Sequence, residues 1–99
     1  MCTYETLNIP VTGSGKGASG WFKVSRATVY FDHPVHAPAD HTLNIDFANP
    51  ELGPSARVAV ELDASSARAL AGAILEILDS APAVLLAGGG KGRVTGAAR

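Results

Sequence analysis

The sequence predicts an α+β domain: a small antiparallel sheet of about four strands with one C-terminal amphipathic helix packed on one face. Three observations predict it. Apolar residues alternate with period two in several short runs before residue 63, a period of 3.6 appears once, after it, and turn-forming residues separate the runs. Strands followed by a helix, rather than strands alternating with helices, exclude a parallel doubly wound sheet.

The first run, "TYETLNIPV" (3–11), sets Leu7, Ile9 and Val11 on one face. Pro10 lacks the N–H that a central strand must donate, so this is an edge-type strand. "TGSGKGASG" (12–20) reads as a glycine-rich connection. "WFKVSRATVYFD" (21–32) is the longest strand candidate, with Phe22 and Val24 alternating one way and Ala27, Val29 and Phe31 the other. A bulge near Ser25–Arg26 accounts for that slip. After "HPVHAPADH" (33–41), "HTLNIDF" (41–47) turns Leu43, Ile45 and Phe47 inward, and His41 with them by the same period. "ANPELGPS" (48–55) is a turn, and "ARVAVEL" (56–62) repeats the alternation with Val58, Val60 and Leu62. Asp63 is placed to cap a helix, and Leu62 before it can staple onto Ala67. Leu70, Ile74, Ile77 and Leu78 form the helix stripe, and Pro82 ends it.

Ninety-nine residues amount to one domain, placed at 1–81, with a Gly/Ala-rich basic tail at 82–99 of which 87–99 is expected to be mobile. Residues 1–81 carry five basic and nine acidic side chains (−4), and residues 82–99 carry three basic and no acidic ones (+3). An acidic folded part is a poor surface for nucleic acid. One cysteine rules out an intramolecular disulfide, and no apolar run is long enough to span a membrane. With no secretory pattern at the start, a reducing cytoplasmic setting is expected.

The 33–41 stretch holds all three histidines, in the pattern H-x2-H-x4-H. His33 and His36 lie three apart in a segment stiffened by Pro34 and Pro38, and His41 returns at the root of the next strand. Neutral imidazole suits a divalent transition metal: zinc first, with iron, copper or nickel as alternatives. Asp32 or Asp40 could add a carboxylate or orient a ring. Cys2, exposed as a terminal cysteine once Met1 is removed, could provide a fourth ligand. The candidate metal ligands are therefore His33, His36, His41 and Cys2. The spacing matches no finger or H-E-x-x-H motif, so two exposed loop histidines and a strand-end His41 is the plain alternative. A proton-transfer role, with Asp32 or Asp40 orienting one histidine, is a further one. The glycine-rich segment is no phosphate loop: Pro10 and Gly17 stand where that motif needs glycine and Ser or Thr, and a strand rather than a helix follows.

The opening "MCTYETLNIPVTGSGKGASGWF", with "VYFDHPVHAP" and "HTLNIDF", resembles a family of short uncharacterised actinobacterial proteins over residues 1 to about 80. The resemblance implies a bacterial cytoplasmic protein and carries no activity, cofactor or catalytic residue. Two readings from different classes follow. One is a small metal-binding protein, a metalloenzyme or the small subunit of one; the other is a non-catalytic oligomerising or accessory module with a structural histidine loop. A metal-free enzyme would need a concave site, expected between the glycine-rich and histidine segments. One helix can cover only one sheet face, so a homodimer through the aromatic 21–32 strand is expected in any of these cases.

Overall fold

Four strands pair in sequence order, β1-β2-β3-β4, every pair antiparallel, in a computed structural model that describes residues 5–87. They are β1 (Thr6–Gly17), β2 (Gly20–Asp32), β3 (Thr42–Ala48) and β4 (Arg57–Leu62). Helix α1 (Ala64–Ser80) and a short helix α2 (Ala83–Leu86) follow. The α+β class, the four strands and the C-terminal amphipathic helix are as predicted. The chain falls into two compact units whose boundary lies within α1, between Ala67 and Arg68.

The glycine-rich segment departs from expectation. Residues 12–17 continue β1 instead of looping, Gly17 pairs with Gly20, and only Ala18 and Ser19 form the turn. Glycine serves close approach here. A Cβ on Gly15 would lie 3.1 Å from the Val24 side chain, and one on Gly17 would lie 3.2 Å from the Phe22 ring. The hairpin tip also nears β4, since those positions lie 3.7 Å from Val58 and 3.8 Å from the Arg57 carbonyl oxygen.

The predicted slip in register sits at the expected level but on the other strand. Pro10 pairs with Arg26 and Gly13 with Val24, so Val11 and Thr12 of β1 oppose Ser25 alone. The extra residue is therefore in β1, the edge strand that Pro10 requires.

Register divides the sheet into two unlike faces. Leu7, Val29, Ile45 and Val60 form one cross-strand row, and Ile9, Ala27, Phe47 and Val58 form the next. On the opposite face Tyr30, Asn44 and Glu61 align, beside Thr28, Asp46 and Ala59. The turn after β3 is a short 3-10 helix, Pro50–Leu52. Buried Asn49 caps it by accepting from the Glu51 N–H at 3.1 Å and also donates to the Lys23 carbonyl at 3.0 Å. Gly53 closes that turn at φ +99°, a left-handed value that favours glycine.

Asp63 caps α1 as the sequence indicates: its carboxylate accepts the Ser66 N–H at 2.8 Å and the Ser65 hydroxyl at 3.3 Å. These bonds hold the Asp63 carboxyl below the usual carboxylate range, the Ser66 N–H contributing most. Ala73, Ile74, Ile77 and Leu78 line a shallow apolar groove along the predicted stripe. No helix among the described residues is long and apolar enough to cross a membrane. Of the predicted 82–99 tail, residues 83–86 form α2 and residues 88–99 lie outside the described part.

Candidate metal centre at the histidine loop

The loop of residues 33–41 joins two hydrogen-bonded neighbours, Asp32 of β2 and Thr42 of β3, so the sheet fixes both its ends. At its start the Asp32 carboxylate accepts the His33 N–H at 2.7 Å. His33 and His41 flank the root of the loop and therefore meet, their ring centroids 4.3 Å apart. His41 also stacks on Phe31 of β2, with centroids 5.7 Å apart and planes within 12°. That contact places His41 toward the apolar side, as its period predicts.

Asp40 completes the group. One ligand atom from each of His33, Asp40 and His41 lies within 4.8 Å of the other two. The Asp40 carboxylate is 3.2 Å from His41 Nδ1, and the Asp40 carbonyl is 3.0 Å from His33 Nδ1. With Nδ1–H of His33 donated to that carbonyl, Nε2 carries the lone pair that can bind a metal. A tetrahedral ion with bonds of ~2.0–2.1 Å needs donors ~3.4 Å apart, so donors that lie within 4.8 Å of one another must close by up to about 1.4 Å to hold it. His33 and Asp40 are exposed and His41 half-buried, so an ion or substrate can reach the site from solvent.

Of the residues singled out from sequence, His33 and His41 come together, and Asp40 joins them where Asp32 does not. His36 is directed elsewhere. The backbone N–H groups of Val35, His36 and Ala37 all donate to the Glu61 carboxylate of β4, at 2.6, 3.0 and 2.8 Å. These bonds hold the Glu61 carboxyl below its ordinary value, with the Val35 and Ala37 N–H groups the leading causes. Glu61 thus pins the middle of the loop to the sheet, a role sequence reading missed. Its signal is slight: Glu61 is an acidic side chain on the polar face of a strand, 24 residues or more from its partners. Cys2 lies outside the described residues.

The concavity at the glycine-rich segment, about 280 Å³, is lined by residues 11–16 with Val24, Phe47 and Val58. Lys16 contributes to it. The histidine cluster lies at the other end of β2, so the two segments do not share this hollow.

A family model described as "Family of unknown function (DUF6295)" matches residues 1–87. No curated protein and no solved structure matches the chain.

Proposed function

The chain belongs to that family of unknown function, and from this premise we propose that it is a small metal-binding protein whose histidine loop holds one divalent transition metal. His33 and His41 are the imidazole ligands. Asp40 orients His41 through one carboxylate oxygen and offers the other to the ion. The observation that supports the reading is the convergence of these three groups, from both ends of one sheet-anchored loop, within 4.8 Å. Two imidazoles and a carboxylate with open positions suit catalytic zinc and non-haem ferrous iron. Zinc is our choice; iron, copper and nickel are the alternatives. Such a centre would activate a bound water or polarise a substrate oxygen, as in a metalloenzyme or its small subunit. Cys2 stays a proposed further ligand, and His36 is the internal control. We keep the reducing cytoplasmic setting on the strength of the single cysteine.

Elemental analysis of protein purified without an affinity tag tests this. We expect close to one equivalent of metal, lost in a His33→Ala, His41→Ala double variant and retained in His36→Ala. Folded protein that takes up no zinc or iron when either is supplied overturns the reading.

The accessory-module reading keeps one supporting observation, independent of the metal. Among the described residues only Val24, Ala27 and Ala56 are buried apolar side chains, while Leu7, Ile9 and Trp21 stay exposed. Self-association would supply the missing burial, and a metal-binding protein could equally be a homodimer.

A further inference from the structure

The polar face of the sheet carries a second concavity, on the side away from the row of Phe31 and Leu43. It measures about 260 Å³ and lies between β3, β4 and the pinned middle of the histidine loop, with Tyr30, His36, Asn44, Asp46, Arg57 and Glu61 on its walls. Each charge there already has its partner. Arg57 Nη2 donates to Asp46 Oδ1 at 2.9 Å, and Glu61 accepts three backbone N–H groups. The Tyr30 hydroxyl stands 3.5 Å from Asp46 Oδ2, and burial together with that carboxylate pushes the phenol up from its ordinary value.

Asn44 does not fit this balance. It is 5% exposed, and Thr42, fully buried, donates its hydroxyl to Asn44 Oδ1 at 2.7 Å. With its oxygen taken by Thr42, the amide nitrogen, with two N–H groups, has no acceptor among the described residues. A buried donor with no acceptor is costly, and such groups in folded proteins nearly always meet a ligand or an ordered water. Asn44 lines the cavity, so the acceptor is to be sought there.

We propose that this cavity binds a small neutral carbonyl compound of the amide or urea type, whose oxygen accepts from the Asn44 amide. A carboxylate ligand would lie beside Asp46 and Glu61 and would compete for an Arg57 already paired. A cation would meet N–H donors at Asn44 and carboxylates already in use. A neutral acceptor disturbs neither ion balance nor loop anchor. The volume falls below the ~300–1,000 Å³ of drug-sized sites, so the ligand is small. Apolar Val35, Ala59 and Val60 complete the walls and suit a short alkyl substituent. Because Glu61 pins Val35 to Ala37 above the cavity, the loop that carries the proposed metal ligands also roofs this second site. Neither site requires the other.

The test is a ¹H–¹⁵N titration of chelator-treated protein with N-methylacetamide and N-methylurea, with acetate and methylammonium as charged controls. We expect saturable shifts of the Asn44 side-chain NH2 with the neutral pair, and binding at least tenfold weaker with either charged probe. Ala59→Leu, a change at an exposed residue that fills the cavity, should weaken binding tenfold while the spectrum stays dispersed. Linear, non-saturating shifts, equal affinity for acetate, or an Ala59→Leu variant that binds as well would each overturn the proposal. So would Asn44 NH2 signals that contact only bound water and move with no probe.

Discussion

One carboxylate decides where the histidine loop lies. Glu61 accepts three consecutive backbone N–H groups, a charge-assisted set that draws residues 35–37 over the polar face and takes His36 away from its two neighbours. Its folded-state pKa lies below the ordinary 4.5, so the stabilisation is fully present above that value and is lost as pH falls through the lowered one. Amide exchange should therefore show Val35, His36 and Ala37 protected at pH 7 and released under acid conditions. In Glu61→Gln, which keeps one acceptor but no charge, protection should already be weaker at pH 7 and should not change across the carboxylate range. Protection in that variant identical to the native chain at every pH would remove Glu61 from this role. The inward position of His41 at a strand root was legible in the sequence from its period of two. The diversion of His36 was not. It depends on a strand 25 residues further on, and no local pattern announces a carboxylate that binds backbone rather than a cation.

At the scale of single elements, the strands and the helix were legible because alternation and capping are local signals. The extent of β1 was not, because glycine usually marks a connection and here marks a close approach. The two kinds of glycine can be told apart by substitution. Gly15 has Val24 at 3.1 Å from a new Cβ, and Val24 is 4% exposed with little room to shift, so Gly15→Ala should destabilise by roughly 1–3 kcal/mol. Gly13 has nothing within 4 Å and no left-handed backbone, so Gly13→Ala should be neutral or stabilising by about 0.5 kcal/mol. Urea unfolding of the two variants checks this; equal effects would mean that the segment is a flexible loop after all. The same scale holds the helix cap. Asp63→Ala should remove two hydrogen bonds from the first turn of α1 and lower the far-UV helical signal, with Asp63→Ser restoring part of it. Since Asp63 too has a lowered folded-state pKa, the cap's contribution should fade as pH drops through the carboxylate range and stay constant above it.

At the scale of the molecule, the question is what completes the core. Of the eight residues in the two central apolar rows, Ala27 is buried, and Leu7 and Ile9 at the β1 edge remain about half exposed. A domain this small stabilises itself only marginally with so little buried, and oligomerisation is the usual remedy. Neither row carries a charged residue, so two copies can meet through this face without burying an unpaired ion. Two-fold pairing is the commonest closed arrangement for such a self-complementary surface. We therefore propose a homodimer in which the 21–32 strand contributes Ala27 and Val29. This revises the sequence expectation, which gave the face of Ile45, Phe47, Val58 and Val60 to the helix and the face of Trp21, Phe22, Val24 and Tyr30 to the partner. The partner face is now that of Ala27 and Val29, and Tyr30 faces the other way, into the polar cavity. Sedimentation equilibrium at micromolar concentration should find twice the chain mass, and Ile9→Lys, which adds a charge at an exposed position on this face, should shift the protein toward monomer. The native chain sedimenting as a single monomeric species would refute the dimer. The metal proposal would be untouched, because His33, Asp40 and His41 all come from one loop of one chain.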